Sequence, residues 1–304
     1  MVAAVGKSGP GKYCIKPPIV ISGSSIKGFG ASPIRSQRRN QFNTGFEQSI
    51  GRFAVVDAEY FWKFTDPASD FDTLFSTPIV FPTEWRKSKI DGFAIRTNLT
   101  QIRGFTAYSV LGHVRSRYFG PEIGGLIFNS PLATGAFRID HDQAFEQTTH
   151  LRYQYKKGPF ADFTWRYDSG LVAGSVPDLA SALALTGDEQ AVIGLHCGNV
   201  FATPNAPISS CNLPFPQFSA TRVRIPAPGT ENDDTNPPRI SPRHLLDASV
   251  GTDNLVRMDH YHVTLRLSVL NLTNRTALYN FLSTFSGTHV VAPRTWQAEL
   301  GFVF

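Results

Sequence analysis

The feature that most restricts this chain is an alternation of period two, repeated in segments of about ten residues. In Tyr261–Leu270, Tyr261, Val263, Leu265, Leu267 and Val269 fall on one face, and His262, Thr264, Arg266 and Ser268 on the other. Ala161–Asp168 sets Phe163, Trp165 and Tyr167 against Asp162, Thr164, Arg166 and Asp168. Phe145–Tyr155 sets Leu151, Tyr153 and Tyr155 against Glu146, His150, Arg152 and Gln154. Ala54–Phe64 and Trp296–Phe304 repeat the pattern, with weaker versions at Asn40–Ser49, Ile90–Gln101, Phe105–Tyr118 and Arg243–Asn254. Successive side chains of a strand point to opposite faces, so each segment predicts a strand dividing an apolar from a polar medium.

A soluble sandwich also has such strands, and the connections decide between the two. They run short, long, short, long. The short ones lie near Ile50–Gly51, Ile102–Gly104, Lys156–Pro159 and Leu255–Asp259; the long ones are Thr65–Lys89, Phe119–Asp142, Gly170–Pro242 and Thr273–Pro293. Short turns at one rim and long loops at the other mark outer-membrane barrels. Aromatics are 12% of the 304 residues against 17% charged. Rings cluster at strand ends, as in Tyr60, Phe61, Trp62 and Phe64, which fits interfacial girdles. The apolar runs, such as Leu179–Leu185, fall far short of the ~20 residues that a spanning helix needs. A net charge of +5 is spread along the chain and does not point to nucleic acid. The fold class expected is all-β: part of an antiparallel transmembrane barrel with about nine to ten strands, long outer loops and short helices. Met1 to Lys7 lack a basic start followed by an apolar stretch, so an exported chain is expected to be a piece of a longer protein. Residues 1–37 give no clear reading; 38–304 carry the barrel pattern.

Gly170–Pro242 is too long for a plain connection. Pro177 and Asp178 before Leu179-Ala180-Ser181-Ala182-Leu183 predict a short helix, and Thr186-Gly187-Asp188-Glu189 predicts a capped second helix through Ile193. Cys197 and Cys211 in this segment are a candidate disulfide; two isolated thiols are the alternative. Gly6-Lys7-Ser8-Gly9-Pro10-Gly11-Lys12-Tyr13 misses the phosphate-loop pattern at its hydroxyl position, and no cofactor is expected. The acidic runs at Asp140–Asp142 and Glu231–Asp234 lack Ca²⁺-loop spacing, so solvated loops are expected and no metal site. The Asn-x-Thr triplets at Asn98, Asn271 and Asn274 are read as chance.

The end of the chain is the most specific part. It reads Leu265–Leu270 followed by Asn271-Leu272-Thr273-Asn274, then Ala277–His289, then Pro293-Arg294-Thr295, and closes on Gly301-Phe302-Val303-Phe304. This resembles the last two strands of a TonB-dependent receptor, where a penultimate strand ends in an N-L-x-N-type motif and P-R-T opens a closing strand ending in Phe. Asp57–Phe64, Phe137–Gln143 and Thr164–Leu171 resemble the large acidobacterial-type members of that superfamily. The resemblance spans roughly Arg38 to Phe304. It implies an outer-membrane location and energised uptake of an unidentified substrate. The implied partners are outer-membrane lipid, the TonB-ExbB-ExbD system acting through a plug absent from this chain, and the barrel-assembly machinery acting on Phe304. A complete family barrel has 22 strands, more than twice the number legible here.

On this reading the polar-face ions face the lumen. Arg96, His113, Arg115, Arg117, Glu146, Arg152, Asp162, Arg166, Asp168 and Arg266 are the candidate binding residues, and mutual pairing is the alternative role. The chain reads as a transport or binding wall rather than an enzyme. A passive porin-like or adhesin-like barrel and a soluble carbohydrate-binding module are the competing functions.

Overall fold

The computed structural model describes residues 5–6, 30–32, 34–73, 80–127, 135–156, 158–257, 262–283 and 287–303. Nine long strands follow one another: β1 (Arg38–Ile50), β2 (Ala54–Asp66), β3 (Val80–Ile102), β4 (Phe105–Ile127), β5 (Glu146–Gln154), β6 (Pro159–Asp168), β7 (Arg243–Arg257), β8 (His262–Leu270) and β9 (Thr295–Val303). Each pairs antiparallel with the next in chain order, within one sheet. The short segment Val5–Gly6 adds to the far edge of β1, opposite Phe42 and Gln41. Phe304 lies outside the described residues, as does most of 1–33.

A consecutive antiparallel meander places alternate connections at opposite ends. The strand ends Ile50 and Ala54, Ile102 and Phe105, Gln154 and Pro159, and Arg257 and His262 therefore share one end of the sheet, and Asp66 and Val80, Ile127 and Glu146, Asp168 and Arg243, and Leu270 and Thr295 share the other. The β3–β4 turn is a two-residue hairpin with φ of 51° at Arg103 and 91° at Gly104, the left-handed pair that matches the twist of its strands.

Two of the expected long connections are largely strand. β3 begins at Val80 and β4 runs to Ile127, each about ten residues beyond the alternating segment. Ala68–Thr73 pairs back on β3, while Gly30–Ser32 and Ala136–Arg138 pair with β4. Backbone pairing holds these extensions. The β3 extension carries polar residues in both alternate sets, and glycine and proline interrupt the β4 extension, so no period-two contrast betrays them in the sequence.

The apolar core is not in the sheet. The main buried cluster comprises Ala173, Val176, Leu179, Ala182, Ile193, Leu195, Ala202, Ile208, Phe218, Val223, Ile225 and Ile240 from the long loop, with Leu278 and Phe281 from the next one. These loops form a cap at one end of the sheet. Helix α1 (Leu179–Leu183) starts at Asp178, whose carboxylate accepts from the Ser181 N–H at 2.7 Å. That bond holds the Asp178 carboxyl below the usual carboxylate range. Helix α2 (Gly187–Ile193) has the reciprocal Thr186–Glu189 capping box and ends on Gly194 at φ 68°. Cys197 and Cys211 form a disulfide, with Cα atoms 5.8 Å apart, that closes part of the cap.

Candidate functional site

Cross-strand register assigns every side chain of the wall to one of two faces. Across β5 to β9, Leu151, Phe163, Ala248, Val269 and Trp296 form one connected row, and Tyr153, Ala161, Val250, Leu267 and Ala298 the next. Apart from the buried Val269, this face is largely exposed: Trp296 is 74% exposed, Phe302 65% and Phe46 63%. The rows between carry the ions. Arg152, Asp162, Ser249, Ser268 and Gln297 lie side by side on the opposite face, and so do Gly251, Arg266 and Glu299.

The cap identifies the inside. Leu245, on the ionic face, is buried by Ala277 and Val291 of the last loop. Asn271 donates its backbone N–H to Asp247 on the same face at 2.8 Å. The last loop thus folds over the ionic face at β7. Asn271, at φ 50°, also donates its side-chain amide to Arg275 O and Ala292 O, and Asn274 accepts from Arg294 N at 2.9 Å. Both asparagines are loop staples, which gives the N-L-x-N motif and the following Pro-Arg-Thr a shared structural role.

Asp162 is the hub of the ionic face. Its buried carboxylate accepts from Ser249 Oγ at 3.0 Å and Arg266 Nη2 at 3.2 Å, and Arg152 Nη1 lies 3.5 Å away. Arg152 also reaches Asp253 at 3.0 Å and stacks over the Phe160 ring with its Cζ 4.0 Å from the centroid. Gly251 lies beneath that ring, and a Cβ there would stand 2.7 Å from Phe160 Cζ, so the flat stack needs glycine. Higher up, Arg166 pairs with Asp247 at 2.7 Å, and Asp168 pairs with Arg243 at 2.9 Å, which donates to Leu278 O of the cap. Arg96 pairs with Asp57 at 3.7 Å on the same face of β2 and β3, and Glu146 lies beside Gly112. Mutual pairing therefore occupies most of the expected lumen ions.

His113, Arg115 and Arg117 do not join them. Register is unbroken from Ala107 to Phe119 of β4 against Lys87 to Leu99 of β3, apart from the hairpin end, and it sets these three on the face of Leu111, Ile95 and Phe93. Their expected lumen orientation is corrected to the apolar side. Each has a partner there: His113 meets Ala144 O, Arg115 pairs with Asp91 and Arg117 with Asp234.

The junction of wall and cap centres on Asp142. Between Ala136–Arg138 and β5 the chain makes a wide bulge, because Arg138 opposes Arg117 and Glu146 opposes Gly112. Asp142, 1% exposed, fills it. Its carboxylate accepts from the Ser116 N–H at 2.6 Å, from Arg138 Nη1 at 3.2 Å and from Arg239. Arg117 and Arg138 also converge on Asp234. Asp142 and Asp234 are thus consumed by arginines, not solvated as expected for acidic loops. Among the described residues no group of three His, Cys, Asp or Glu side chains gathers as a metal site would. Arg239 is 97 residues from Asp142, and no spacing in the sequence signals that pair. Beside the junction an open pocket of about 380 Å³ lies between the sheet extension and the cap, lined by Phe71, Trp85, Phe137, Arg138, Asp140 and Asp233 among others. The Trp85 and Phe137 rings meet edge to face, 4.6 Å between centroids.

No protein-family model and no curated protein sequence matches the chain. Solved structures do. The FrpB iron transporter from Neisseria meningitidis superposes with a TM-score of 0.52 at 13% identity, over 88% of this chain and 32% of that one. The copper transporter OprC superposes with a TM-score of 0.50 at 10% identity, over 89% of this chain and 31% of that one. The chain spans about a third of the length of each. It has the fold of a contiguous part of an outer-membrane β-barrel.

Proposed function

We propose that this chain is the wall and outer cap of an outer-membrane transporter that admits substrate from the capped end. One observation carries the reading. Pairing across nine strands sets a largely exposed apolar face on β5 to β9 against an ion-paired one, and the only sizeable buried cluster among the described residues lies at one rim. Lipid explains why so many large apolar side chains need no protein cover. The ionic face, folded over by loops, then faces the lumen. Energy comes from the TonB-ExbB-ExbD system acting through a plug supplied outside this chain, and assembly uses the barrel-assembly machinery. The cap supplies recognition, with the pocket of Phe71, Trp85 and Phe137 as its entry site.

Deletion of 177–238 from the protein in its native outer membrane tests this. Substrate uptake fails while heat-modifiable, membrane-inserted protein still accumulates. Undiminished uptake by the deleted form overturns the recognition role of the cap.

A further inference from the structure

On the ionic face, the end of the sheet that carries the cap holds a small cavity with cations and no acid. β2 sets Lys63 and Thr65 on the same face as Asp57. Pairing places Arg39, Thr65, Ser88 and Tyr118 side by side across β1 to β4, one residue from the end of β2. Lys63 stands one row below, opposite Ile90. Ala68 and Ser69, from the segment that pairs back on β3, complete a cavity of about 70 Å³. Arg39, Lys63, Thr65, Ser69, Ser88 and Tyr118 supply its cationic and hydroxyl lining, and no carboxylate lines it. Thr65, Ser88 and Tyr118 are buried.

Elsewhere on this face cations are matched by acids: Arg96 by Asp57, Arg166 by Asp247 and Arg266 by Asp162. Arg39 and Lys63 form no ion pair among the described residues. They stand diagonally across β1 and β2, a step of roughly 7–8 Å that long side chains span. Two cations held together without an acid repel, and an anion between them removes that cost. The hydroxyls around them donate to further oxygens of the same guest. A halide has no such oxygens, and a carboxylate has only two. A tetrahedral oxyanion has enough for both cations and the hydroxyls, and the cavity is large enough to hold one.

We propose that this pocket binds a phosphoryl group, either the free ion or the head of a larger molecule passing from the cap into the lumen. What the pocket serves rests on the transporter reading. Binding is read on the purified protein and transport by uptake, so the two fail separately.

Equilibrium dialysis of radiolabelled inorganic phosphate against the detergent-purified protein tests this, and saturable binding is expected. A charge-assisted contact is worth about tenfold or more, so Lys63→Gln and Arg39→Gln each weaken binding at least about tenfold. Lys63→Arg keeps the charge and retains the ion. Arg52→Gln, in the turn at the opposite end of the sheet, leaves binding unchanged, and acetate or chloride at the same concentration does not displace phosphate. Displacement by glycerol 3-phosphate supports an esterified source, and its failure to displace supports the free ion. Absence of saturable binding, equal binding by the two glutamine variants, equal loss on Arg52→Gln, or displacement by acetate, which would assign the cations to a carboxylate partner, each overturns the proposal.

Discussion

Leu265 and Thr264 adjoin on β8, and the pleat sends one to the bare face and the other toward the ions. Arginine at Leu265 must be carried into hydrocarbon at a cost of about 2–4 kcal/mol, whereas arginine at Thr264 meets a polar wall. Reversible unfolding from lipid vesicles should show that gap, and equal losses at both positions would remove the bilayer from the argument. A different residue-scale effect concerns His141, in the loop bulge outside the membrane. Its hydrogen bond to Asp140, 2.6 Å away, raises its pKa above 6.5 against an opposing effect of burial. A raised folded-state pKa means that the stabilisation is complete below the unfolded value near 6.5 and fades as pH rises through the folded value. Amide protection in the bulge should therefore decline above pH 6.5. In Asp140→Asn the His141 titration, followed by NMR, should return toward its ordinary midpoint; an unmoved midpoint would detach it from Asp140.

Individual elements differ in how openly the sequence announces them. β6 from Ala161 to Asp168 and β8 from His262 to Val269 are legible because each divides two media, and their polar and apolar residues alternate without a break. The two helices are legible because Asp178 and the Thr186–Glu189 pair cap them locally, within three residues. The bulge at 139–145 is not legible. Asp142 is explained by Arg239, and only the folded cap brings the two together. The lumen ladder was half legible: Arg152, Asp162 and Arg266 lie where alternation puts them, but whether they bind substrate or one another depends on strands that pair far apart in the chain. If Asp142 couples cap to wall, Asp142→Ala strands the charge of Arg239, while Arg138 keeps Asp234, a loss of about 3–5 kcal/mol. Limited proteolysis should then cut within 170–242 while the sheet stays resistant. A cap as resistant as before would assign the coupling to apolar contacts alone.

At the scale of the molecule, the sheet has two lateral edges. The outer edge of β9 has no strand partner among the described residues, and that of β1 has one only at Gln41 and Phe42. Unpaired backbone groups in lipid each cost several kcal/mol, so such edges seek strands. The isolated chain in detergent should therefore self-associate edge to edge, and light scattering that finds a stable monomer would contradict this. The location of the core has a further consequence, for biogenesis. The cap carries its own core and cross-link but sits at the rim opposite the tight turns. A chain delivered from the turn side has to send this segment across the membrane before the wall closes around it. As a disulfide-tied parcel it needs a wide passage; as an open thread it needs only a narrow one, and must fold after arrival. The order of cysteine oxidation and strand insertion thus sets the bore that the half-built wall has to keep open.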